Sequence, residues 1–340
     1  MTNIKIYNLD IFLKNILEIS EKKLIKTLNN KKKSYSEYKI PKKNGYRTIY
    51  ALKGGSLSNL QSNLKKNFLD NIPIADNVYG FVEGYGYKDF LTPHTYKKYY
   101  LRLDIKNFFE SIKTNELEII FDYYITASND EEKDKILDYL ISIISLNDYL
   151  PQGAITSPAT SNIFFRELDI RIQKYCKKLG FDYSRYADDI LISSNSDKLP
   201  KDFVIKAVNK IVSDRKLKLN YKKIIREKNE ISLNGFVVGK GIRLSRNRRY
   251  DISKINFLFK SNKSVSQYKF VELLNNVNGG FKYRYKNNNG KFFSDIDDLI
   301  NYLAGYRSFL INWIPDEDNK YYNKHINLLN DIEEILLWLN

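Results

Sequence analysis

Cysteine and histidine are scarce in this sequence. Its 340 residues include one cysteine, Cys176, and two histidines. A single thiol excludes an intramolecular disulfide bond and a cysteine-rich metal site, and it fits a reducing, cytoplasmic location. Two histidines also argue against a histidine-based zinc site.

Long apolar runs are absent too, whereas basic residues are plentiful. No run of about 18 apolar residues occurs, so we expect no membrane-spanning helix. The 56 Lys and Arg residues outnumber the 40 Asp and Glu residues, which gives a net charge of +16. Such an excess favours a polyanionic partner such as nucleic acid. A genome of low GC content would also produce many lysines, so charge alone does not decide the partner.

Two adjacent carboxylates, Asp188 and Asp189, follow the aromatic residues Phe181, Tyr183 and Tyr186 and precede the aliphatic run 190–192. The pattern predicts a strand, a tight turn and a returning strand. Carboxylates at such a tip repel each other, and a divalent cation would remove that cost. Because Mg²⁺ commonly binds one or two carboxylates plus substrate phosphates, the motif suits phosphoryl or nucleotidyl transfer. A solvated turn is the alternative for this motif alone.

A third carboxylate, Asp104, stands where the apolar alternation of residues 99–103 ends. Two such strands side by side would bring Asp104 and Asp188 together. We therefore predict a site for two Mg²⁺ ions about 4 Å apart, with Mn²⁺ as a substitute. One ion would activate a primer 3′ hydroxyl and the other would hold the triphosphate of the incoming nucleotide.

The segment 38–50 predicts two short strands joined by an Asn-Gly turn, with Lys42 near the tip and Arg47 on the return strand. This basic hairpin could close over a triphosphate, whose oxygens a guanidinium binds well. A solvated hairpin is the alternative. Further on, residues 217–225 resemble a strand. Lys222 or Lys223 on that strand could neutralise the leaving pyrophosphate, although solvated lysines are the commoner explanation.

The turn at Pro151-Gln152-Gly153 leads into a predicted helix with Ser157 as its N-cap and Pro158 at its first position. Gly180 ends that helix. Its first N–H groups, together with Gln152, would face phosphate or the templating base pair. Phe109 follows Asp104 by five residues. An aromatic ring against the sugar would exclude a 2′ hydroxyl, whereas the alternative is a plain core residue.

Basic residues after the last acidic motif are candidate contacts to a nucleic-acid backbone. They are Arg243, Arg246, Arg248 and Arg249, followed by Lys282 and Arg284 within an alternation of aromatic and basic residues. That alternation could stack bases and bind phosphates, and a surface hairpin explains it equally well. Helical periodicity dominates the remaining sequence.

These motifs, in this order, resemble those of bacterial reverse transcriptases of the retron and group II intron type. The resemblance covers roughly residues 38–250 and includes the Tyr-Ala-Asp-Asp sequence at 186–189. It implies an α+β right-hand polymerase fold with an antiparallel palm sheet flanked by helices. The implied regions are N-terminal helices and fingers (1–100), palm with part of the fingers (101–240) and a mostly helical thumb (241–340).

The resemblance also implies roles for individual residues. The catalytic set is Asp104, Asp188 and Asp189, and the metal site comprises Asp104, Ile105 and Asp188. Nucleotide contacts are Arg47 and Lys42 on the hairpin, Phe109 as the sugar-selecting aromatic, Gln152 and Gly153 beside the nascent base pair, and Lys222.

The function expected from this resemblance is RNA-directed DNA polymerisation, with an RNA template, a DNA or RNA primer and dNTPs. A compact chain of this kind resembles the antiphage-defence reverse transcriptases, which implies a cognate non-coding RNA and a partner effector protein. Template-independent or protein-primed DNA synthesis is an alternative within polymerases. A non-catalytic RNA-binding protein, such as a splicing cofactor, is an alternative from another class.

Overall fold

The computed structural model describes residues 5–42, 45–287, 289–315, 317 and 319–340. The chain divides into two units, Met1–Pro93 with Tyr99–Glu227 and His94–Lys98 with Lys228–Asn340. The predicted fingers and palm regions thus fall in the first unit, apart from residues 94–98 and 228–240, and the predicted thumb falls in the second. No helix in the described parts of the chain is long and apolar enough to cross a membrane.

Helices and two sheets build the first unit. Its strands are β1 (Tyr35–Lys42), β2 (Gly45–Leu52), β3 (Tyr99–Asp104), β4 (Asp182–Tyr186), β5 (Asp189–Ser194) and β6 (Ile225–Lys228). Its helices are α1 (Leu9–Ile11), α2 (Glu21–Asn29), α3 (Ser56–Asn67), α4 (Tyr87–Leu91), α5 (Phe108–Ser111), α6 (Thr114–Asp122), α7 (Asp130–Ile144), α8 (Ser157–Lys178) and α9 (Asp202–Ser213). A π-helical turn (Phe12–Ile16) and 3-10 turns (Lys31–Ser34, Leu69–Asn71, Thr92–His94, Tyr221–Lys223) complete it.

The four-stranded sheet has the order β4-β5-β3-β6, and β5 pairs antiparallel with both of its neighbours. Every residue of β5 is buried because the strand is central. The sequence prediction of an α+β fold with an antiparallel sheet flanked by helices is confirmed. The long helix α8 begins with Pro158 in its first turn and ends two residues before Gly180, as its local signals predict. Its N-cap is Thr156 rather than Ser157, whose hydroxyl donates to Pro151 O (2.5 Å).

The β1–β2 hairpin is fastened at its base to the Pro-Gln-Gly turn. Tyr50 N donates to Gln152 O (2.8 Å). Gly153 has a left-handed φ of +111°, and an added Cβ there would lie 2.7 Å from Tyr50 O. Only glycine therefore allows this close approach between the turn and β2.

A buried amide strengthens the same attachment. Gln61, on α3, is fully buried and donates both to the Tyr35 hydroxyl and to Ile143 O, each at 2.8 Å. Its side-chain oxygen accepts from Ile155 N (3.1 Å). One side chain thus joins the first residue of β1, the end of α7 and the start of the segment leading into α8.

A three-stranded antiparallel sheet and four helices form the second unit. Its elements are β7 (Ile231–Leu233), β8 (Phe236–Gly239), β9 (Gly241–Leu244), α10 (Arg246–Ser261), α11 (Gln267–Asn275), α12 (Ile296–Ile311) and α13 (Tyr322–Leu339). Aromatic rings fill its interior. Phe236 stacks on Trp313 with 3.7 Å between ring centroids, and Phe259 and Phe270 pack against Trp338.

We predict that Gly153→Ala destabilises the first unit more than Gly180→Ala does. Both glycines have positive φ, but an added Cβ at Gly180 would meet no atom of the described residues within 4 Å. The control should lose about 1 kcal/mol from backbone strain, and Gly153→Ala about 2 kcal/mol or more because of the added clash. Urea unfolding measures both, and equal losses would contradict the close approach.

Candidate active site

The pairing of β3 with β5 brings the predicted carboxylates together. Asp104 and Asp189 are direct cross-strand partners. Ile105 N donates to Asp188 O (3.1 Å), so the residue after Asp104 lies against the β4–β5 turn. Two pairs of neighbouring residues that are far apart in the sequence, Asp104-Ile105 and Asp188-Asp189, therefore meet at one end of the sheet.

Asp104 is almost fully buried and has two polar partners. Its Oδ1 accepts from Asn220 Nδ2 (3.1 Å) and its Oδ2 from Lys223 Nζ (2.8 Å). Asn220 also donates its backbone N–H to Asp104 O (2.8 Å), and Lys223 lies three residues further along the chain. The lysine beside the carboxylate is therefore Lys223, whereas the predicted Lys222 is exposed.

Asp189 faces a different cation. Arg102 donates to its Oδ1 through Nε (3.0 Å) and Nη2 (2.6 Å), and both side chains are largely buried. In the described part of the chain, no group of three or more His, Cys, Asp or Glu side chains could hold one metal ion. Asp104, Asp188 and Asp189 thus do not form a set of three metal ligands among the described residues.

Asp188 differs from its neighbours in its electrostatics. Burial raises the pKa of its carboxyl, and the negative charges of Asp189 and Asp104 raise this pKa further. A raised pKa means that the ionised form is poorly compensated in this environment. The buried Asp104 and the half-buried Asp188 offer hard oxygen donors, so the two carboxylates fit a divalent cation such as Mg²⁺.

The turn that carries Asp188 is held by a fully buried ion pair. Arg185 binds Asp169, on α8, through Nε to Oδ1 and Nη2 to Oδ2, both at 2.8 Å. Its Nη1 donates to Ala187 O (3.0 Å), and Ala187 has a left-handed φ of +55°. Tyr183 also donates to Asp169 (2.6 Å), and the Phe165 ring lies under the guanidinium. The guanidinium therefore fixes the residue directly before Asp188.

An extended segment, residues 77–80, lies along the other side of β4. Arg185 N donates to Asn77 O (2.9 Å) and Tyr79 N donates to Arg185 O (3.0 Å). A Cβ added to Gly80 would lie 2.4 Å from Ala187 N, so only glycine fits against the turn. The glycine is visible in the sequence, but its contact across more than 100 residues is not.

Asn162 joins these two supports. Its Nδ2 donates to Gly80 O (2.9 Å), and its Oδ1 accepts from Arg185 Nη2 (3.1 Å). The predicted helix α8 thus holds the turn through both Asn162 and Asp169. Neither residue was among the predicted site residues.

Phe109 lies at the start of α5, in the short stretch that follows Asp104. Asn107, directly before α5, has φ of +48°, a left-handed conformation that Asn tolerates. The Phe109 ring is half-buried and contacts the rings of Phe108 (5.4 Å between centroids) and Phe81 (6.1 Å). Phe109 is therefore neither a fully buried core residue nor a fully exposed one.

The predicted triphosphate contacts lie on and beside the hairpin. Arg47 is exposed and pairs with Ile40 across the two strands. The backbone of Lys42 ends β1, but its side chain lies outside the described part, as do residues 43 and 44 at the tip. Gln152 is half-buried and Gly153 is exposed at the turn that anchors Tyr50.

The predicted nucleic-acid contacts of the second unit fall into two groups. Three arginines have partners within the chain. Arg243 binds Glu230 (2.8 Å), and the Arg248 guanidinium lies over the Tyr283 and Phe309 rings. Arg284 binds Asp298 and Phe292 O. Arg246 and Lys282 are exposed. Arg249 and Arg243 line a surface cavity together with Lys324. Burial, followed by the charges of Arg243 and Arg246, lowers the pKa of Arg249.

Residues 31–238 match the family model described as reverse transcriptase (RNA-dependent DNA polymerase). The chain is 30% identical over 249 residues to the Retron Se72 reverse transcriptase of Salmonella heidelberg, covering 70% of this chain and 64% of the relative. It is 34% identical over 196 residues to the Retron Ec73 reverse transcriptase of Escherichia coli, covering 54% and 60%. The chain thus spans less than two thirds of the length of these relatives.

Solved structures give a weaker similarity. The telomerase from Candida albicans in complex with a TWJ fragment of telomeric RNA aligns with a TM-score of 0.45 and 13% sequence identity. The alignment covers 89% of this chain and 63% of that one.

We predict that Arg185→Met lowers the free energy of unfolding by about 3–5 kcal/mol, because it leaves the Asp169 carboxylate buried without its partner. Replacing both residues, Arg185→Met with Asp169→Leu, should recover much of that loss. The control is Asp214→Asn, which breaks an exposed pair with Arg171 and should cost less than about 1 kcal/mol. Urea unfolding measures the free energy of unfolding of each variant. Similar decreases for Arg185→Met and Asp214→Asn would contradict the role assigned to the buried pair.

Proposed function

The chain belongs to the reverse transcriptase (RNA-dependent DNA polymerase) family, and from this membership we propose that it synthesises DNA on an RNA template. In this reaction the 3′ hydroxyl oxygen of a DNA or RNA primer attacks the α-phosphate of a dNTP, and pyrophosphate leaves. The observation that carries the proposal is the convergence of Asp104 and Asp188, from separate strands, within the segment that matches the family.

Asp104 and Asp188 are our candidates for holding divalent metal, with Ile105 beside them. Two bound Mg²⁺ ions, or Mn²⁺ as a substitute, would supply Lewis acidity for the attacking hydroxyl and for the phosphate oxygens. Support comes from the burial of Asp104 and from the raised pKa of Asp188, which is half-buried. Asp189 has a different role in this proposal. Its ion pair with Arg102 holds the first residue of β5 in register with Asp104.

Lys223 is our candidate for neutralising the leaving pyrophosphate. Its Nζ lies 2.8 Å from Asp104 Oδ2, and about half of its side chain is exposed. The flexible lysine side chain can release the carboxylate oxygen and donate its hydrogen bond to a phosphate oxygen instead, since both oxygens are anionic acceptors. Lys222, one residue earlier, points to solvent and is the less favourable choice.

Phe109 is our candidate for selecting the sugar. It lies five residues after Asp104 and is half-buried. A ring that packs against the deoxyribose leaves no room for a 2′ hydroxyl, so discrimination comes from steric exclusion. Arg47, Gln152 and Gly153 would contact the triphosphate and the nascent base pair. The bond that fastens the base of β2 to Gln152 supports this grouping.

The second unit supplies the proposed contacts to nucleic acid. Arg246 and Lys282 are exposed, and the cavity lined by Arg249, Arg243 and Lys324 has buried guanidinium nitrogens without a hydrogen-bond partner among the described residues. Phosphate groups would satisfy these donors.

We further propose that the template is a cognate non-coding RNA and that the enzyme acts in the cytoplasm in antiphage defence with an effector protein. Similarity to retron reverse transcriptases supports this part.

Asp104→Asn and Asp188→Asn should each lower dNTP incorporation by about a thousandfold or more, because each removes a charge that the metal site requires. Primer extension on an RNA template with labelled dNTPs measures this. The control is Asp197→Asn, an exposed carboxylate after β5, which should keep the wild-type rate. Wild-type rates in both active-site variants would refute the assignment.

Purification of the protein from its host, followed by sequencing of the RNA and DNA that accompany it, tests the proposed template. We expect one non-coding RNA to be strongly enriched, joined or paired to DNA complementary to part of it. The Asp188→Asn protein should retain the RNA and lack the DNA. Enrichment of unrelated cellular RNAs in proportion to their abundance would contradict a dedicated template.

A further inference from the structure

One aromatic residue beside the candidate active site has an unusual combination of backbone and exposure. Phe81 follows Gly80, whose backbone lies directly against Ala187 in the β4–β5 turn, the turn that carries Asp188. Phe81 has φ of +64°, a left-handed conformation that is unfavourable for a bulky residue. Its side chain is nevertheless 45% exposed, so burial of the ring does not explain why this conformation is kept. Strain of this kind persists where the surrounding structure imposes it, and it is concentrated at functional sites.

The neighbouring contacts impose this conformation. Tyr79 N is bound to Arg185 O, and Gly80 O accepts from Asn162. The chain therefore arrives at Phe81 already fixed along β4 and α8. The left-handed turn then directs the Phe81 ring towards the site.

The Phe81 ring contacts two aromatic residues of the site. Its centroid is 6.1 Å from that of Phe109, with an interplanar angle of 52°, and 6.5 Å from that of Tyr186, with an angle of 41°. Tilted rings at these separations are in attractive contact. Tyr186 directly precedes the β4–β5 turn, and Phe109 follows Asp104 by five residues. Phe81 thus contacts both the ring that follows Asp104 in sequence and the ring that precedes Asp188.

We propose that Phe81 is a specificity-determining residue that holds the Phe109 ring at the sugar of the incoming nucleotide. This inference rests on the proposed reverse transcriptase function and extends it. Without the Phe81 ring, Phe109 can rotate or withdraw into the space that Phe81 occupies, and a 2′ hydroxyl then fits. Phe81 acts through Phe109 and is therefore a positioning residue. Its effect should appear in the choice between dNTP and rNTP more than in the rate with dNTP.

The test compares kcat/KM for dGTP and GTP insertion on one RNA template with a DNA primer. Phe81→Asn removes the ring and keeps a residue that tolerates a left-handed backbone, and Phe81→Gly does the same without strain. We expect both to lower the preference for dGTP by about tenfold or more, with kcat for dGTP within about threefold of wild type. Phe81→Tyr, which retains the ring, should keep the wild-type preference.

Two further variants make the result specific. Phe203→Asn is the control, because Phe203 is 44% exposed, in the first turn of α9, and is expected to leave selectivity unchanged. Phe109→Ala should itself admit ribonucleotides, and unchanged selectivity in that variant would assign Phe109 to the core. Adding Phe81→Asn to Phe109→Ala should then have less than about a twofold further effect, since both changes act on the same ring.

Two outcomes would overturn the inference. Wild-type discrimination in both Phe81→Asn and Phe81→Gly would mean that Phe109 is held without Phe81. Fully multiplicative effects of Phe81→Asn and Phe109→Ala would mean that Phe81 does not act through Phe109. A wild-type protein that inserts no dGTP under these conditions would instead overturn the proposed function and, with it, the basis of this inference.

Discussion

The buried ion pair between Arg185 and Asp169 is the interaction on which the candidate active site depends. Asp169 belongs to the long helix α8, and Arg185 belongs to β4, so the pair sets helix and sheet in one register. Removing both charges from water is costly, and the cost is offset only because their polar atoms have several partners. The same guanidinium holds the Ala187 carbonyl. The position of Asp188 is therefore determined by an interaction in the dry interior and not by the turn alone.

Charge is distributed unequally around the three carboxylates. Lys223 contacts Asp104 and Arg102 contacts Asp189, while the pKa of Asp188 is raised by burial and by both neighbouring charges. This asymmetry separates the roles of two adjacent aspartates that look equivalent in the sequence. Asp189 stabilises the sheet register, and Asp188 keeps the poorly compensated charge that suits a cation.

Local sequence patterns predicted the elements but not the contacts between distant elements. Alternation predicted β3 and the β4–β5 hairpin, and Pro158 and Gly180 marked the two ends of α8, because these signals are local. Register is not local. Arg102 lies two residues before Asp104 on the same strand face and diagonally across from Asp189, which becomes visible only when the pairing is known. The choice between Lys222 and Lys223 likewise depends on a 3-10 turn at Tyr221–Lys223, where the sequence predicted a strand.

The long sequence separation of these contacts has a consequence for folding. Arg102 and Asp189 are 87 positions apart, and Asp104 and Lys223 are 119 positions apart. Closing such loops costs entropy before the contacts repay it, so contacts of this range form late. The β4–β5 hairpin can form early by itself, but its carboxylates acquire their partners only when β3 and the segment around Lys223 have docked. The candidate active site is therefore completed near the end of folding, after most of the secondary structure is in place.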